Sequence, residues 1–365
     1  LGQNGAFPKG GVVNPFFAVV GLILLTSALL LLPLVPALAE LHNKSDALPL
    51  NVIQQHAGEI RFFADGFRSY MKGLQPALQE CVSSGAHATG TMPDGSEYVV
   101  LGRGEDALFL PFREQNEVHP VIIASGTDLL LPSGTIFSKD IYSAASVIGG
   151  TKNRYRAILA EKDIRLGRES SVMRWVHAVG EFSADPACRL YGRVSSETGI
   201  RLSSECSFLR LNAPYIAIGP EADPEQNPSQ APVIATTQPR LFHDGDFEIQ
   251  AGAVFQDNLV VRGRLRIGAG ARVCGSVKSE KGLVLEPGVS IEGSLISASI
   301  MQIGRDCRIR GPVIAERTML IQAGTRCGTP HNPTTVSAPN IQVEQDVVVF
   351  GTLWAREEGQ AVEGS

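Results

Sequence analysis

Aromatic side chains are scarce in this chain of 365 residues, making up 6% of it with only two tryptophans. That shortage disfavours a wide core filled by large rings and suits a narrow one filled by Val, Ile and Leu. Paired metal ligands are missing as well. The six cysteines (Cys81, Cys188, Cys206, Cys274, Cys307, Cys327) form no C-x-x-C, and no two of the seven histidines stand at ligand spacing. The usual zinc signatures are thereby excluded. H-E-x-x-H, G-x-S-x-G and a Walker loop are absent too, which removes the commonest sequence routes to metalloprotease, serine-hydrolase and nucleotide chemistry. No dense Lys/Arg run occurs, and a net charge of −5 argues against nucleic acid as a partner. The expectation is a non-enzyme with no catalytic, cofactor-binding or metal-binding residues.

What is present is a repeat. Ile249, Ile267, Leu285, Ile303 and Ile321 are each 18 apart, and six residues further on Phe255, Val273, Ile291, Ile309 and Cys327 keep the same step. One repeat reads L-x-I-x-x-G-x-x-V-x-G-x-V, as in Leu265–Val277. Its V-x-G-x-V part alternates with period two, so it predicts a short strand with one buried face. The column Gly252, Gly270, Gly288, Asp306, Gly324 falls at a corner that calls for positive φ. A fixed period with strand–turn–strand content is the mark of a β-solenoid, in which each coil leans on its neighbours. A weaker form of the rhythm joins Ile164, Phe182, Ile200 and Ile218, and likewise Ile158, Val176 and Val194. Cys188 and Cys206 are also 18 apart, so they should stack on adjacent coils, close enough in principle for a disulfide. Cys327 takes an inward position, where it acts as a small hydrophobe.

The rest of the chain is organised around this repeat. Residues 1–15 form a tail. Residues 16–39 run without a charge for 24 positions and predict a transmembrane helix, with a cleaved signal peptide as the competing reading. Residues 40–85 hold a juxtamembrane segment and an amphipathic helix from Asn51 to about Val82. Its apolar stripe includes Phe63, Phe67, Met71, Leu74 and Leu78, and Pro76 should kink or end it. Residues 86–128 read as a small β region, 129–219 as a first solenoid block, 220–240 as a linker or loop, 241–356 as a second block and 357–365 as a polar tail. A four-residue expansion at Pro330–Pro333 interrupts the second block. His243-Asp244-Gly245-Asp246 reads as the turn that opens it.

The run Val284–Leu295, like Leu265–Val277, resembles the repeats of the bactofilins, a bacterial polymer-forming cytoskeletal family. The resemblance covers residues 241–353 well and 129–219 loosely. It implies a right-handed β-helix and a membrane-anchored scaffold that self-assembles at the bacterial cytoplasmic membrane. Its partners would be further copies of itself, the lipid bilayer and cell-envelope proteins, with the bulk of the chain on the cytoplasmic side by that resemblance. Lys9 before the apolar run and Lys44 after it leave the periplasmic side open.

Two other readings compete. Eighteen is three times six, so the series Ile267, Val273, Ser279, Leu285, Ile291, Ser297, Ile303, Ile309, Ala315, Ile321 also fits a left-handed hexapeptide acyltransferase, for which His331 is the one plausible catalytic histidine. An envelope adaptor that binds a partner on the solenoid wall is the other.

Overall fold

The structure, a computed structural model, describes residues 15–32, 61–104, 118–220, 222–224 and 240–363. The chain divides into two units, 1–59 and 60–365. In the first, helix α1 (Pro15–Leu31) has 17 residues and no charge. At 1.5 Å per residue it reaches roughly 26 Å, short of the roughly 30 Å apolar layer of a bilayer. No helix among the described residues is long and apolar enough to cross a membrane. Residues 33–39 of the expected span lie outside the described residues.

The second unit is a β-solenoid of about 13 turns. Its strands join in one 32-stranded sheet that wraps into three walls. Partners within a wall are parallel and 18 residues apart over most of the stack, as in Ile164↔Phe182, Leu265↔Leu283 and Ile291↔Ile309. The inward series from Ile267 to Ile321 is at most 2% exposed at every member. Ser279 and Ser297 fit there because their hydroxyls turn back onto corner carbonyls, those of Gly263 and Gly282 for Ser279 and that of Ile300 for Ser297. The expected corner column has positive φ throughout: Gly252 70°, Gly270 66°, Gly288 75°, Asp306 57° and Gly324 76°.

Several expectations need correction. The solenoid begins before residue 129: Glu97–Leu101 pairs in parallel with Ile122–Ser125, and Val118–His119 with Ile136–Phe137, so the small β region is the start of the stack. Residues 357–362 are not a tail but the end of the Val347–Val362 strand, with Gly359 opposite Phe208 and Ala361 buried. Ile218 lies beside Leu202, and it is Ile216 that pairs with Ile200, because the last turn of the first block is two residues short.

The expected amphipathic helix is broken, as Pro76 required. Helix α2 (Phe62–Met71) passes through a 3-10 turn (Lys72–Leu74) into α3 (Gln75–Ser84), with the proline in the first turn of α3. Phe67, Met71, Leu74 and Leu78 are buried against one wall of the first block, alongside Val100, Ala124, Leu159 and Trp175. Residues 51–60 lie outside the described residues.

The two blocks do not follow one another in a single direction. The Ser207–Ile218 strand, last of the first block, pairs antiparallel with Val347–Val362, last of the second, through all three walls. The C-terminal faces of both blocks therefore meet. From that junction the second block runs back through six rungs to Arg240–His243, about 29 Å along the stack at the spacing of paired strands. Of the intervening linker, Ala222 is buried near the junction, its carbonyl accepting from Arg201. Residues 225–239 lie outside the described residues.

Candidate assembly interface

The far end of the second block is a rung with open edges. Its strands, Arg240–His243, Phe247–Ile249 and Val254–Phe255, pair on one side only, with Asn258–Val261, Arg264–Ile267 and Arg272–Val273. Among the described residues no strand pairs with their other edges. Leu241 continues the inward column of Leu259 and Val277, yet it is 43% exposed, with no rung beyond it among the described residues. Phe247 and Phe255 pack over the end of the core, and Phe242 and Val254 stand out at 67% and 60% exposure. Unpaired backbone donors and acceptors beside apolar side chains make an edge that accepts another strand.

The outer end of the first block differs. There the Ala88–Thr91 strand folds back antiparallel on Glu97–Leu101 and covers one wall's edge. The junction between the blocks shows how this repeat satisfies a terminal rung: an opposing rung pairs antiparallel with it, bringing Leu211 opposite Leu353 and Ile216 opposite Val349.

The residues weighed for chemistry are dispersed. His331 stands exposed at the tip of a turn closed by reciprocal backbone hydrogen bonds of Thr329 and Asn332, both 3.1 Å. The His243–Asp246 segment is the expected turn: Gly245 has φ 94°, the Asp246 carboxylate accepts from the Arg264 N–H at 2.7 Å, and Asp244 pairs with Arg262. No metal-binding cluster occurs among the described residues. A shallow hollow of about 600 Å³ beside Gly282 mixes Asp246 and Glu248 with Arg264, Arg266 and Lys281, and Arg266 is already paired with Glu286.

Cys188 and Cys206 do occupy adjacent rungs, as free thiols in the core. Each donates to a corner carbonyl, of Gly167 and Asp185 respectively. The neighbouring Cys206 thiol, and then burial, push the Cys188 thiol well above its ordinary value. Burial, the largest cause, takes Cys307 to about 11 and Cys327 to about 12. Cys188, Cys307 and Cys327 are protonated packing groups, not nucleophiles.

One polar cluster escaped the sequence reading. His177 Nδ1 lies 2.9 Å from Ser195 Oγ, and His177 Nε2 lies 3.5 Å from the Glu197 carboxylate, which also binds Arg61 at 2.7 Å. The 18-residue step from 177 to 195 was its only signal. His177 is 1% and Ser195 2% exposed, so the hydroxyl has no room for a substrate carbonyl. Burial lowers the His177 pKa, which keeps the ring neutral near neutral pH. The arrangement ties α2 to the wall instead of performing acyl transfer.

Fold and surface together define the class: a β-solenoid whose Arg240–Phe255 rung has no strand on its outer edges among the described residues. No protein-family model, curated protein or solved structure matches the chain.

Proposed function

We propose that this protein is a structural scaffold that assembles with further copies of itself, as the bactofilin-like repeat phrase suggests. In this reading the coil is right-handed, and the uncharged N-terminal segment containing α1 holds the molecule at a membrane. The supporting observation is the open rung at Arg240–Phe255, whose strand edges and apolar side chains match what the intramolecular junction covers. A copy presenting the same rung antiparallel would satisfy both edges, as the Ser207–Ile218 and Val347–Val362 strands do for each other. Light scattering across a concentration series tests the reading. The wild-type chain is expected to gain mass with concentration, and a Leu241→Lys/Val254→Lys variant to stay monomeric. A wild-type chain that remains monomeric at the highest concentration overturns it.

A further inference from the structure

Four rungs of the first block are built from strands that turn a corner without breaking: Arg154–Ala160, Ser171–Ala178, Arg189–Ser196 and Ser207–Ile218. Register shifts between Val172 and Trp175, Leu190 and Arg193, and Phe208 and Arg210 mark that corner. These strands carry Arg154, Arg156, Arg174, Arg189, Arg193 and Arg210, and not one Asp, Glu or Lys.

Elsewhere the surface neutralises its arginines across rungs. Arg165 pairs with Asp185, Arg266 with Glu286, Arg272 with Glu292 and Arg326 with Asp346, each 20 residues on. On the corner this pattern stops. Arg156 pairs with Asp140, but Arg154, Arg174 and Arg189 are exposed and have no carboxylate within 4.0 Å among the described residues. Arg193 and Arg210 are direct neighbours on adjacent strands, a like-charge pairing that costs stability. They lie over the rings of Phe63 and Trp354. Between the arginines two apolar side chains project, Met173 at 54% and Tyr191 at 46% exposure.

We propose that this corner docks on a bilayer surface containing anionic phospholipid. The arginines would meet lipid phosphates, while Met173 and Tyr191 would enter the headgroup layer. An outward corner is convex, so it cannot enclose a peptide or a nucleic-acid strand but can rest on a plane. Arginines interleaved with aromatic and thioether side chains suit the interface between water and lipid. A basic patch by itself holds a membrane weakly, and two signals hold it stably. The proposal therefore rests on the membrane reading above, in which the α1 segment is the second signal.

The test is co-sedimentation of the full chain with vesicles of phosphatidylcholine, alone or with about a third phosphatidylglycerol, at low and high salt. Anionic lipid is expected to strengthen binding, and high salt to remove the gain. An Arg154→Gln/Arg174→Gln/Arg189→Gln variant should lose the gain by about a hundredfold, roughly fivefold per arginine. Met173→Ser/Tyr191→Ser should weaken binding to the anionic vesicles several-fold. Equal binding of the triple variant and wild type overturns the proposal. So does release from the vesicles by soluble polyglutamate at matched charge, which would assign the corner to an acidic protein. Binding to the neutral vesicles that the Met173→Ser/Tyr191→Ser variant retains reports on the α1 segment. Its absence would sink the anchoring role of α1, while the gain from anionic lipid still decides the role of the corner.

Discussion

The glycines of the second block serve two different physical needs. Gly252, Gly270 and Gly288 sit at corners with φ between 66° and 75°, a region that costs other residues roughly 1–2 kcal/mol. The corresponding corners of the first block are held by Lys152, Glu169, Ala187 and Glu205, all with φ near 60°. The rhythm there was fainter in sequence for that reason: the corner persists while its marker residue does not. Gly275, Gly293 and Gly311 are required by proximity. A methyl group at Gly293 would fall 2.6 Å from the Ser276 nitrogen of the rung beneath. Gly293→Ala is accordingly expected to destabilise the chain by about 1–3 kcal/mol through overpacking. Urea denaturation followed by circular dichroism measures this, and an unchanged midpoint would show that the rungs can separate to admit a methyl.

At the scale of elements, α2 is held to its wall by rings and charges together. Trp175 is buried beside Phe63 and Phe67, Arg68 binds Glu161 at 2.7 Å, and Arg61 binds Glu197. His177 lies beneath, faced by Glu197, Arg61, Arg68 and Ser195. Its folded pKa is lowered by burial, so the docked state takes up a proton less readily than the released one. The contribution to docking is present above the ordinary histidine value of about 6.5 and is lost as pH falls through the lowered folded value. Acidification is expected to expose Trp175 and red-shift its emission, read in a Trp354→Phe background. His177→Gln should flatten that response, and an identical titration in the variant would assign the pH dependence to another group.

At the scale of the whole molecule, the decisive feature is the meeting of two C-terminal faces. It buries the last rung of each block and leaves their N-terminal rungs outermost, so the open Arg240–Phe255 rung becomes an end of the stack. The junction depends on close approach at Gly359, where a Cβ would lie 2.3 Å from Phe208 Cε2 and the Phe208 ring is itself only 2% exposed. Gly359→Val should weaken the coupling between blocks, so that denaturation of the second unit resolves into two steps. A single transition at the wild-type midpoint would mean that the blocks are coupled by other contacts.

The chain by itself determined the coil. Apolar residues at a fixed step of 18, small residues at the corners and Pro76 in the helix each act through neighbours along the sequence or one rung away, and strand pairing and the φ angles followed from them. The direction of the second block, the inclusion of residues 357–362 and the basic corner were decided only in three dimensions. A repeat of constant period has the same pattern whether a neighbouring block stacks head to tail or face to face, so nothing local distinguishes the two. Arginines spread over residues 154–210 form no run in sequence, and they become one surface only when successive turns lie a single strand spacing apart.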